Sequence, residues 1–301
     1  MTAASPPLVS VAVITYNQHH LLDECLASIL AQDYPAIEIV VADDGSSDGT
    51  PDLLRDYAAR HPGKFVLRLA EVNRGVTPNH DLALAACSGK YISWIGGDDV
   101  MLPGKIAAQV AYLESHPDCN ICYHDVEIFD GGTGRTIRLC STADRPRNGG
   151  FLTLVRYGHF NTGISSMVRR SASPTHFESS IPVASDWIYF VECLADGGRI
   201  DFIPGIYGRQ RRHAGNVTRS PDRCQPAHLF AQHLQSCAII LARWPRAAAA
   251  VRFRMAALLR MQRWQDDSAH YDQFLRASFA TRWSFKVAVA LIISRWCGIR
   301  R

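Results

Sequence analysis

Between residues 8 and 100 short β-rich runs alternate with longer segments of helical period. This alternation narrows the fold more than any other feature, because strands joined through helices assemble into a parallel sheet with crossover connections. Residues 9 to 15 read as a first strand, 20 to 32 as a helix with Leu21, Leu22, Cys25, Leu26, Ile29 and Leu30 at helical spacing, and 37 to 42 as a second strand. A helix over 51 to 60, a strand over 65 to 69, a helix over 78 to 87 and a strand over 91 to 95 follow. Open α/β sheets bind ligands at the carboxyl ends of their strands. Three polar clusters fall there, TYN at 15 to 17, DDGSSDGT at 43 to 50 and GGDD at 96 to 99, and the expectation is that they converge on one crevice.

Further along, residues 103 to 114 read as a helix and 120 to 129 as a strand. DGGTGRT at 130 to 136 lacks the Lys-Ser/Thr ending of a phosphate loop and reads as a hairpin turn. Composition changes near residue 220, where an Ala, Leu and Arg-rich stretch of helical period begins. The expected organisation is an α/β domain over 1 to 222, with halves 8 to 100 and 101 to 222, and a helical region over 223 to 301.

The last twenty residues, RWSFKVAVALIISRWCGIRR, join an apolar centre to tryptophans and basic residues. Residues 280 to 301 therefore suit peripheral contact with a membrane interface as well as a helix packed on the protein body. A hydrophobic share of 47% and a charged share of 20% fit a globular enzyme. A net charge of +4, concentrated in the last third, is too small to argue for nucleic acid. Nine scattered cysteines, an odd number, and no basic-then-apolar leader point to reduced thiols and a cytoplasmic protein, with the inner face of the membrane as a further expectation. Cys119 and Cys122 form a CxxC that reads as a buried pair, since no second pair accompanies it.

An Asp pair directly after an apolar strand is costly if buried without a partner, so it serves a metal, a cationic side chain or a helix start. Gly96 and Gly97 allow close backbone approach, and the Asp98 and Asp99 carboxylates are hard oxygen ligands suited to Mg²⁺ or Mn²⁺ bridging a diphosphate. Asp43 and Asp44 stand at the end of another strand, followed by Ser46, Ser47 and Asp48, which are also natural turn and cap residues.

The segments VSVAVITYN, ADDGSSDGT, NRGVTPNHDLALAACSGKYISWIGGDD and LPGKIAAQVAYLESHPD, in that order and spacing, resemble the family 2 inverting glycosyltransferases of GT-A fold. The likeness covers roughly residues 8 to 218. It implies an α/β fold with a central, mostly parallel sheet flanked by helices. It also implies that Thr15, Tyr16 and Asn17 line a nucleotide pocket, that Asp43 or Asp44 accepts a hydrogen bond from the base, and that Asn73, Arg74 and Asn79 edge the diphosphate or ribose.

On the same grounds Asp98 ligates the metal, with Asp99 as a second ligand or a donor-sugar contact. Arg211 and His213 in RQRRHAGN face the diphosphate or metal, Asp186 in SDW is the catalytic base, and Trp187 meets the acceptor. The family's usual Asp-x-Asp-Asp reads Gly96-Gly97-Asp98-Asp99, so its first acid is missing. The implied reaction transfers a sugar with inversion from a nucleotide-diphosphate sugar, a UDP-sugar favoured, to a glycan or lipid-linked glycan in polysaccharide synthesis. Two other readings remain at this level: a nucleotidyltransferase, disfavoured because TYNQHH stands where a Gly-rich, Arg-containing loop belongs, and a binding scaffold that has lost catalysis.

Overall fold

A computed structural model describes residues 5–216, 226–262 and 271–282. Its elements run β1 (Val9–Thr15), α1 (His19–Leu30), β2 (Ile37–Asp43), α2 (Thr50–Arg60), β3 (Phe65–Leu69), α3 (Val76–Ala86), β4 (Tyr91–Gly96), β5 (Val100–Met101), α4 (Lys105–Ser115), β6 (Cys119–Asp130) and β7 (Thr136–Leu139). They continue with α5 (Phe151–Tyr157), β8 (Ser166–Arg169), α6 (Asp186–Glu192), β9 (Arg199–Arg212), α7 (Pro226–Arg243), α8 (Ala248–Gln262) and α9 (Tyr271–Thr281). Contacts divide the chain into two units, one of Met1–Phe151 and His159–His213, the other of Leu152–Gly158 and Ala214–Arg301.

The first unit is built on one sheet in the order β3-β2-β1-β4-β8-β6-β9-β5, with β7 beside β6. β1 is central and nearly all buried, which is why its sequence is apolar almost throughout. Val9, Val11 and Val13 pack with Leu22, Leu26 and Ile29 of α1 and with Leu54 and Tyr57 of α2. The strands β3, β2, β1 and β4 are parallel, as the alternation predicts. Beyond β4 the sheet is mixed: β8 runs antiparallel to β4 and β6, β9 parallel to β6, and β5 antiparallel to β9.

Two helix starts differ from the sequence pattern for local reasons. Helix α3 begins at Val76, two residues before Pro78, because a proline in the first turn removes only an N–H that has no partner within the helix. Helix α4 begins at Lys105, since Gly104, at φ +80°, places Pro103 and Gly104 in the preceding turn. DGGTGRT is the β6–β7 hairpin turn, where Asp130 Oδ1 accepts the Gly132 and Thr133 N–H groups at 3.1 and 2.8 Å. Cys119 and Cys122 are free thiols buried on β6.

Helix α6 docks on β4 through an aromatic cluster. The Tyr189 ring stacks on Phe177 at 4.4 Å and meets Trp94 edge-on at 5.7 Å, while Trp94 Nε1 donates to Tyr189 Oη at 3.3 Å. The Thr77 hydroxyl donates to Ile181 O at 2.6 Å and meets Ser185 Oγ at 2.8 Å. The first turn of α3 is thereby fixed to the segment that leads into α6.

In the second unit Arg156 lies over Phe253 at 4.5 Å, Arg254 Nη1 donates to Tyr157 O at 3.3 Å, and Ser278 Oγ of α9 donates to Ala256 O of α8 at 2.8 Å. Among the described residues no helix is long and apolar enough to cross a membrane. Most of the segment expected to meet a membrane interface, residues 283–301, lies outside the described residues.

Lys105 is completely buried. Its Nζ donates to Ser93 Oγ at 2.6 Å and to Gln109 Oε1 at 2.9 Å, and burial depresses its pKa to about 7. The unfolded chain, with an ordinary lysine value, holds a proton that the native chain sheds across the interval from 7 to roughly 10. Native stability therefore carries the full cost of the charge below pH 7 and recovers it as pH rises through that interval. Lys105→Met should accordingly be most favoured over the wild type near pH 6, with the difference shrinking by pH 9; denaturant unfolding at both pH values measures this.

Candidate active site

The carboxyl ends of β1, β2 and β4 lie side by side, with Thr15 opposite Asp43 and Ile14 opposite Gly96. The two Asp pairs at this edge are satisfied in different ways. Asp43 has no exposed surface and accepts the Ser46 N–H at 3.0 Å and the Ser46 hydroxyl. Burial pushes its carboxyl above the usual range. Asp44, 4% exposed, accepts the Arg74 and Gly75 N–H groups at 2.8 and 2.9 Å. Both carboxylates are engaged in shaping the rim loops.

Gly45 makes this rim possible. It sits at φ +71°, and a Cβ there would lie 2.6 Å from the Val72 carbonyl carbon. The side chains of Asn73 and Arg74 are exposed along the rim. Asn79 is instead buried, with Nδ2 donating to Thr15 O and Ala42 O at 3.3 and 3.0 Å, so it braces β1 against β2 and is not on the rim.

Asn17 has φ +51°, and its side-chain oxygen accepts the Ser47 N–H at 2.9 Å while its own N–H donates to Ser46 Oγ at 2.7 Å. Thr15 is 1% exposed, and its hydroxyl reaches Gln18 Oε1 at 3.0 Å. Tyr16 between them is half-buried. The TYN loop is thus fastened to DDGSSD by Ser46 and Ser47, and Asp48 adds a bond from the His19 N–H at 3.0 Å.

Asp98 and Asp99 are met from the far end of the unit. The Arg211 N–H donates to Asp99 Oδ1 at 2.9 Å, Arg211 Nε donates to the Asp98 carbonyl at 2.8 Å, and His213 Nε2 lies 2.9 Å from Asp98 Oδ2. The Arg211 guanidinium also pairs with Glu24 of α1 and covers Phe129 at 4.7 Å. Its side chain is only 7% exposed, so Arg211 clamps this turn from within. Burial and next the Asp98 carboxylate push Asp99 well above the usual carboxylate range.

The missing acid at residue 96 has a steric reading. A Cβ on Gly96 would meet Asp98 Oδ1 at 2.7 Å, because the Asp98 carboxylate folds back over that position. A Cβ on Gly97 would meet Gln18 Oε1 at 2.7 Å and Thr15 Oγ1 at 3.0 Å.

Among the described residues no group of three His, Cys, Asp or Glu side chains is arranged to hold a metal ion by itself. Asp98 and His213, 14% and 23% exposed, do offer one oxygen and one nitrogen donor side by side. That pair supplies two of the several ligands a divalent cation needs.

Asp186 opens α6 and is 38% exposed. Its Oδ1 accepts the Trp187 N–H at 2.9 Å, and its Oδ2 lies 3.5 Å from His159 Nε2. Trp187 is fully buried in the core, so its ring backs the site and has no surface for an acceptor, which corrects the sequence expectation. Its position in SDW masks this, because a tryptophan beside an exposed Asp on a helix falls on a different face. Glu24 and His159 escape the sequence reading altogether, each being brought in by the fold from outside the motif it serves.

Residues 10–177 match the family model for glycosyl transferase family 2, more than half of the chain. The chain belongs to glycosyl transferase family 2. An uncharacterized protein of Mycobacterium tuberculosis is 32% identical over 215 residues, covering 70% of this chain and 61% of its own length. A putative glycosyltransferase of Bacillus subtilis, EpsE, is 32% identical over 142 residues, 47% of this chain and 51% of EpsE. The chain thus spans about 61% of the length of the first of these relatives.

Two solved structures share the GT-A fold. Residues 1–349 of Staphylococcus aureus TarS, in complex with UDP-GlcNAc, superpose with a TM-score of 0.68 at 17% identity, over 96% of this chain and 84% of that one. The Pyrobaculum calidifontis mannosyltransferase PcManGT, in complex with GDP-Man and Mn2+, gives 0.57 at 21% identity, over 98% and 81%.

For this family 2 member the contact at Gly96 sets up a separable test. The atom in the way is the end of a side chain, so Gly96→Ala displaces Asp98 with little cost to the fold. The variant should unfold within about 1 kcal/mol of the wild type, as denaturant titration of the two proteins measures, whereas a loss of several kcal/mol would show that Asp98 cannot move aside.

Proposed function

We propose that the chain is an inverting, divalent-cation-dependent glycosyltransferase that uses a nucleotide-diphosphate sugar. The observation that carries this reading is the pairing of Asp98 with His213 at the end of β4, backed by the Arg211 clamp, in the same unit as a partly exposed Asp186 on α6. Bound UDP-GlcNAc in TarS and GDP-Man with Mn2+ in PcManGT support a nucleotide-sugar donor and a divalent cation, and make a UDP-sugar the first donor to try. Asp98 and His213 would hold the cation, with Asp99 behind them. When bound there, such a cation would supply electrostatic stabilisation for charge on the leaving diphosphate. The exposed Asn73 and Arg74 edge the diphosphate or ribose, and the TYN loop lines the nucleotide pocket.

Asp186 acts as general base. As the acceptor oxygen bonds to the anomeric carbon, its proton passes to Asp186 and the bond to the diphosphate breaks, its electron pair leaving with the diphosphate, so the configuration inverts. Incubation with a panel of UDP-, GDP- and dTDP-sugars, read as nucleoside diphosphate release, tests the class. Pyrophosphate release instead would mark a nucleotidyltransferase, and donor binding without release a scaffold. The acceptor is a hydroxyl of a glycan or lipid-linked glycan in cell-surface polysaccharide synthesis.

Two substitutions separate the roles. Asp186→Asn should lower turnover by about 10²- to 10⁴-fold while donor affinity holds; full turnover in that variant removes Asp186 as the base. Asp98→Ala should abolish the dependence of donor affinity on Mn²⁺ in calorimetry, and affinity that still responds to Mn²⁺ rejects Asp98 as a ligand.

A further inference from the structure

Beside Asp186 stands a histidine that the reaction outlined above does not use. His159 Nε2 is buried and has no hydrogen-bond partner, and Asp186 Oδ2 lies 3.5 Å from it. A buried ring nitrogen left unsatisfied costs on the order of 1–3 kcal/mol, so its persistence calls for a physical reason. Its geometry is prepared from α6 itself. The imidazole stacks on Phe190 with centroids 5.8 Å apart and planes 26° apart, and Phe190, 1% exposed, lies four residues after Asp186 on the same helix face. Helix α6 therefore carries both the carboxylate and the wall against which the imidazole rests. The other carboxylate oxygen, Oδ1, is held by the Trp187 N–H.

We infer that His159 is the positioning residue of the proposed base. Its Nε2–H donates to Asp186 Oδ2, fixing the carboxylate between the imidazole and the first turn of α6 and leaving a lone pair of Oδ2 directed at the acceptor hydroxyl. The 3.5 Å gap closes to hydrogen-bond distance when the site fills, as is common for catalytic contacts that are long in the unliganded state. The acceptor proton still ends on Asp186, and His159 neither gains nor loses one. His159 has this role only if Asp186 is the base, as proposed above.

The test uses the full chain and the nucleotide sugar of the panel that the wild type cleaves fastest, with water as acceptor and nucleotide release as readout. His159→Ala should lower turnover about tenfold, the worth of a hydrogen bond to a charged group, with the donor KM unchanged. His159→Gln, whose amide nitrogen can replace Nε2, should recover most of that loss. In an Asp186→Asn background His159→Ala should cost less than about twofold, because the two residues act as one unit. Unchanged turnover in His159→Ala, an equal loss in both backgrounds, or a Gln variant as slow as the Ala variant each overturns the role of His159 while leaving Asp186 in place. Full turnover in Asp186→Asn overturns the base itself.

Discussion

Two adjacent carboxylates at the end of β4 are costly to hold at a buried strand end without donors to meet them, and the arrangement of the first unit supplies those donors. They come from the end of β9, the last strand of the unit, where the Arg211 backbone N–H meets Asp99 and the His213 ring meets Asp98. Glu24 of α1 holds the Arg211 guanidinium from the opposite side. The pairing of β9 with β6 and β5, the antiparallel insertion of β8 and the docking of α1 all bring these groups to one turn. Burial and the neighbouring Asp98 carboxylate keep Asp99 above the usual carboxylate range even so.

The contrast with Asp43 and Asp44 shows why equal sequence signals carry unequal chemistry. Those carboxylates are satisfied by N–H groups and a hydroxyl of their own neighbourhood. Backbone N–H groups make a carboxylate a fastener. Ionisable side chains such as His213, which is partly exposed, leave it able to exchange partners.

The parallel half was legible in the sequence because its strands are buried on both faces and its helices keep one apolar stripe, so period and burial coincide. The polar clusters at strand ends were legible for the same reason. What eluded the sequence was direction. Trp187 and Asp186 are neighbours in the chain but face the core and the surface respectively, and Asn79 points under the sheet edge to brace two strands. Contacts such as Glu24 with Arg211 leave no local trace, since they join α1 to the end of β9. The mixed order beyond β4 was equally hidden, because short strands such as β5 and β8 have no period to read.

The hydroxyl of Thr77 joins the first turn of α3 to Ile181 and Ser185, one residue before Asp186. Through Asp44 the loop that opens α3 is tied to β2. These bonds form a caliper, with the rim loop on one jaw and the carboxylate of α6 on the other. The spacing of the two jaws is thus held by hydrogen bonds internal to the first unit.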